Sequence, residues 1–109
     1  MTKRAIHAVK RSIKHWERTV TYARKQDKNN YYNYGDMDGD IGETIGMDDC
    51  ALCNYYKEDC NDCPLSIKYG ECGEERNAYN KVVHAKTWGD FVKAGNHMLR
   101  QLKSLLPGR

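Results

Sequence analysis

All five cysteines of the chain fall in one stretch, Cys50, Cys53, Cys60, Cys63 and Cys72, spaced C-x2-C-x6-C-x2-C-x8-C with Pro64 directly after Cys63. The two thiolates of a C-x2-C pair reach one ion from a tight turn, and two pairs complete the tetrahedral set used by structural zinc sites. Zinc is therefore the expected metal. A [4Fe–4S] cluster is the alternative, because cysteine-rich runs with a Cys-Pro step also serve ferredoxins. Two ligand sets are open: Cys50 and Cys53 with Cys63 and Cys72, leaving Cys60 spare, or a set that includes Cys60. A closed four-cysteine zinc leaves no position for a reacting water, so the expected role is structural.

The remaining chemistry-bearing residues form no catalytic pattern. There is no Ser/His/Asp constellation, no phosphate-cradling glycine loop and no H-E-x-x-H. A cysteine nucleophile needs an unmetallated thiol with a lowered pKa. The chain is expected not to be an enzyme. Asp36-Met37-Asp38-Gly39-Asp40 resembles the start of a calcium loop but places Ile41 and Met47 where Gly and Glu are required, so an acidic solvated loop is expected instead. His7, His15, His84 and His97 fall on expected helices as ordinary surface or half-buried histidines.

The elements that position the cysteines are expected to be helical, giving a mainly α, single domain over 1–109 built around the metal knuckle. Ile6, Val9, Ile13, Trp16, Val20 and Ala23 alternate at steps of three and four, the narrow apolar seam of a basic helix over residues 3–26. Residues 27–49 carry four glycines, three asparagines and Tyr31, Tyr32 and Tyr34, and are expected to be an irregular acidic loop. The knuckle occupies 50–73 and helices follow over 74–106. In the first of these, Ala78, Tyr79, Val82 and Val83 share a face. Thr87-Trp88-Gly89-Asp90 has the form of a capping box opening the second, whose apolar side runs from Trp88 and Phe91 to Leu105 and Leu106. Pro107-Gly108 stops it. Gly89 and Gly95 weaken that helix unless another backbone approaches there.

Charge is segregated along the chain. Residues 1–28 hold nine cations against Glu17 and Asp27, residues 29–63 hold Lys57 against nine carboxylates, and the rest is again basic, for a total of +3. Such asymmetry marks either an interaction surface or two parts of one fold that attract. Lys3, Arg4, Lys10, Arg11, Lys14 and Arg18 on the first helix are candidate phosphate or partner contacts, although they look distributed around the helix. With 109 residues and 39% hydrophobic content the chain has a marginal core, which a metal or an oligomeric partner would reinforce. No secretory leader and no apolar run of about 20 residues is visible, so a soluble protein of a reducing compartment is expected, with no membrane partner.

Ser12-Ile13-Lys14-His15-Trp16, Cys50-Ala51-Leu52-Cys53, Cys60-x-x-Cys63-Pro64 and Gly70-x-Cys72 together resemble a family of small cysteine-rich proteins of tailed phages. The resemblance covers roughly residues 6–80. It departs after the last cysteine, where relatives carry Thr-Pro-Tyr and this chain has Arg76-Asn77-Ala78-Tyr79. The family has no settled function, so it implies context: a metal-stabilised phage accessory protein of the bacterial cytoplasm that binds and modulates a host protein, for instance as an anti-defence factor. It also implies that His15 and Trp16 pack on or near the metal knuckle. The alternatives are a nucleic-acid-binding regulatory module using the basic helix, and an oligomeric binder of a nucleotide signal that stacks on Tyr31, Tyr32 and Tyr34.

Overall fold

The computed structural model describes residues 2–43, 63–69 and 78–106 and is mainly helical, with no strand among them. Among the described residues the helices are α1 (Lys3–Arg24), α2 (Tyr34–Ile41), α3 (Pro64–Tyr69), α4 (Ala78–Val83) and α5 (Trp88–Lys103). Of the expected knuckle, Cys50, Cys53, Cys60 and Cys72 lie outside the described residues.

The first helix begins where Thr2 accepts the Ala5 amide at 3.1 Å, a side-chain N-cap. Its buried face is wider than the seam read from the sequence. Val9, Ile13, Trp16, Val20 and Ala23 are buried as expected, and Ala5, Ala8, Ser12, His15 and Thr19 are buried beside them, while Ile6 is only partly covered. Small and hydroxylated residues hide this second stripe from a hydrophobic count. Thr19 satisfies its hydroxyl by donating to the Trp16 carbonyl at 2.9 Å, the local back-bond open to Ser and Thr within helices.

The broad face lies chiefly against α5. Contact is close at Gly95, where an added Cβ would stand 2.4 Å from Val20 Cγ2. A second approach involves backbone. Gly89 donates to the Lys28 carbonyl at 3.0 Å, Trp88 to Asn30 at 3.0 Å, and Tyr32 to Lys86 at 2.9 Å. Residues 28–32 thus run antiparallel to 86–89. Gly89 thus meets the backbone approach expected of it, whereas Gly95 makes room for a side chain.

Two expectations for the middle of the chain are corrected. Residues 34–41 are helical, not irregular. Asn33 caps the start, its side-chain oxygen accepting the Gly35 and Asp36 amides at 2.9 and 3.3 Å, and Gly42 closes the end at φ 68°. The fully buried Met37 pins this short helix to the core. Asp36, Asp38 and Asp40 therefore sit exposed on a helix and not in the expected acidic loop.

On the other side, Thr87 caps the start of α5 as expected, accepting the Asp90 amide at 3.2 Å. The last helix ends at Lys103 with Ser104 as its cap, three residues short of the expected end. Ala78 and Val82 of α4 are buried, but Val83 is half exposed. Gln101, itself buried, accepts the Ala78 amide at 2.9 Å and so caps α4 from α5. Short α3 is tied to the end of α5 by a 2.6 Å hydrogen bond between the Tyr69 and Ser104 hydroxyls.

Candidate functional site

The described part of the cysteine stretch is its exit. Cys63 is buried in the core immediately before α3, and its carbonyl accepts the Ile67 amide at 3.0 Å, so the first turn of α3 holds this cysteine in place. On its other side the last described residue is Glu43, seven positions before Cys50. Glu43 is bound by two side chains of α1. Arg18 Nη1 lies 3.0 Å from its Oε1, and His15 Nδ1 donates to its Oε2. Arg18 also donates to the Ile41 carbonyl at 3.0 Å, so one guanidinium clamps the end of α2 and the residue beyond it.

His15 is 7% exposed. Its position, one turn from both Ser12 and Thr19 and next to Trp16, places it on the second buried stripe of α1. Because an ionised carboxylate can only accept, Nδ1 carries a proton. In the neutral ring Nε2 is then a bare lone pair, and it is buried with no hydrogen-bond partner among the described residues. The neighbouring Trp16 Nε1–H is buried and unpartnered in the same way. The two rings meet edge to face at 5.2 Å, and Tyr79 of α4 stands edge-on to Trp16 at 6.3 Å. Buried polar atoms without partners are rare and mark an unrecorded water, ion or reactive role. A carboxylate on one imidazole nitrogen with the other left open is the arrangement that fixes a histidine for metal coordination.

This fits a metal at the cysteine stretch, although among the described residues no three His, Cys, Asp or Glu side chains converge. The fit rests on the chemistry of one imidazole nitrogen, one indole N–H and the buried Cys63. Sequence reading treated His15 as an ordinary histidine on residue type alone. The available signal was its place between Ser12 and Thr19, which requires counting small polar residues as core.

The expected phosphate contacts are placed differently from their sequence reading. Lys3, Arg4, Lys10, Arg11, Lys14 and Arg18 are all exposed. They do not encircle α1, because its wide buried face leaves them on the solvent side alone. Arg18 is committed to Glu43. Lys10 and Lys14 flank an open apolar groove floored by Ile6, Ile13 and Leu106. Of the tyrosines, Tyr32 stacks on Phe91 at 4.6 Å and meets Trp88 edge-on at 5.1 Å, so it is core, whereas Tyr31 is 83% exposed. The Tyr34 side chain lies outside the described residues.

A separate concavity of about 420 Å³ lies between α4 and α5, lined by Lys81, Lys86, Lys93 and Arg100 with His84 and His97. No helix among the described residues is long and apolar enough to cross a membrane. Comparison with protein-family models, curated proteins and solved structures finds no match.

Proposed function

We propose that the chain is a non-enzymatic, metal-stabilised binding protein, with zinc held by four of Cys50, Cys53, Cys60, Cys63 and Cys72. The observation that carries this reading is the buried His15 ring, fixed through Nδ1 by Glu43 and left open at Nε2. It stands on the helix whose His15 and Arg18 bind Glu43, seven positions before the first cysteine. Bound zinc would supply folding free energy to a chain with a marginal core. His15 Nε2 would stand beside the thiolate set as a hydrogen-bond acceptor, and the Trp16 indole N–H would donate to a thiolate sulfur. Nothing in this arrangement requires an open coordination position. The resemblance to tailed-phage proteins supplies the wider setting, a host protein bound in the bacterial cytoplasm during infection.

Metal analysis and the visible spectrum of protein purified without oxygen test the metal part. One zinc per chain and no colour is the expected result. Iron, sulfide and a brown absorption overturn it in favour of an iron–sulfur centre, and metal-free protein with unchanged helicity overturns both. Pull-down from host extract with zinc-loaded and zinc-stripped bait tests the binding part, which requires a partner retained at high salt by the loaded form alone.

A second reading, nucleic-acid binding through α1, is favoured by the gathering of its cations on one solvent face. Its signature is duplex binding that weakens steeply with salt, together with a similar loss in K10E/K14E.

A further inference from the structure

The concavity between α4 and α5 has no part in the metal reading and stands independently of it. We propose that it is a binding site for a phosphate-bearing anion, of the size of a tripolyphosphate group. The argument starts from how the cations are brought together. On α5, Asp90, the adjacent Lys93 and Ala94, His97 and Arg100 are linked by three- and four-residue spacings and form one stripe. The end of α4 and the turn after it bring Lys81, His84 and Lys86 to face that stripe across Ala85 and Ala94. The alanines leave the middle open, so long cationic side chains surround a space in the range of small-ligand sites.

Four permanent cations line this space against one carboxylate, Asp90. Among the described residues none of the four makes an ion pair, because both salt bridges there involve Glu43. Unpaired cations around a concave surface focus a positive potential into it and raise the local concentration of anions.

His97 adds a neutral donor and a consistent electrostatic sign. Lys81 can only donate, so its 3.4 Å contact with His97 makes His97 Nδ1 the acceptor and puts the proton of the neutral ring on Nε2. His97 is held below its usual pKa by burial first, then by Lys81 and Arg100. His84 donates from Nδ1 to the Asn80 carbonyl at 2.7 Å, which fixes its ring over the same wall. A phosphate oxygen here meets lysine and arginine charge at the rim and an imidazole N–H within. An anion so placed favours the charged imidazolium and reverses the depression of His97.

Titration of the zinc-loaded full chain with sodium tripolyphosphate at low salt, followed by calorimetry and by the His97 ring resonances, tests the site. Saturable binding is expected, with the His97 pKa rising on saturation. K93E/R100E is expected to weaken binding by about tenfold or more, and K25E/K28E, just past α1, to change it little. Competition by ATP or by a 12-nucleotide single strand then tells whether the natural phosphate belongs to a nucleotide or to a nucleic-acid backbone. Absence of saturable binding, an unmoved His97 pKa, or equal weakening by both double variants overturns the proposal. All four substitutions are at exposed positions, and circular dichroism confirms that each variant is folded before it is titrated.

Discussion

Val20 on α1 occupies the space that a side chain at Gly95 of α5 would need, with Val20 Cγ2 only 2.4 Å from where that Cβ would sit. Gly95→Ala in an isolated helix would gain about 1 kcal/mol from propensity. Here the methyl meets a β-branched side chain that is itself buried, and overpacking of this kind costs about 1–3 kcal/mol. G95A is therefore expected to lower the urea midpoint. Val20→Ala in the same chain should recover part of the loss, and that coupling separates a local clash from a general helix effect.

Gln101 carries the N-terminus of α4. Gln101→Leu keeps similar bulk but leaves the buried Ala78 amide without its acceptor, at a cost of about 1–3 kcal/mol. Hydrogen exchange at Ala78 should accelerate more than exchange in the middle of α1. Equal acceleration in both would mean that Gln101 supports the whole fold and not this helix end.

Tyr22 donates to Asp40 at 2.6 Å, joining α1 to α2. That hydrogen bond first, with burial and the charges of Asp40 and Asp36, raises its pKa from 10.0 to about 12. A pKa higher in the folded state means that the contribution is complete below pH 10 and is lost as pH rises towards 12. Wild type should therefore lose stability more steeply than Tyr22→Phe across that interval. In a tyrosinate absorbance titration, D40N should return one tyrosine towards its ordinary value.

Glu43 orients His15, and the two can be separated by their zinc readouts. His15→Ala is expected to reduce zinc retention against a chelator by about 10–100-fold, the usual scale for losing a metal's supporting contacts. Glu43→Gln keeps an acceptor oxygen but no charge, and should give a smaller loss. Zinc retention unchanged in both variants would detach this pair from the metal.

Where burial follows apolar side chains, the sequence was legible. Trp88, Phe91, Met98, Leu99 and Leu102 take the side of α5 that their spacing required, and Thr87 caps it as its pattern implied. Two kinds of residue escaped. Ser12, Thr19 and His15 are core residues whose polarity conceals them, so α1 was read as a narrow seam with its cations spread around it. Gly35 and Gly39 made α2 look irregular, although Asn33 and Gly42 bracket it as helix caps. The basic concavity was equally hidden, because Lys81 and Lys86 meet Lys93 and Arg100 only once α4 and α5 are folded side by side. The cysteine pattern carries the metal reading by spacing alone, and the resemblance alone set His15 near it; that His15 is buried and bound to Glu43 needed the fold.

The contact of Val20 with Gly95 also has a consequence in time. During synthesis at about 5–20 residues per second, α1 leaves the ribosome roughly 4–15 s before the α5 segment that covers it has been made. Through that interval Val9, Trp16 and Val20 have no α5 to lie against, and a lone helix of this length is only marginally stable in water. The native core thus closes only once α5 has been made.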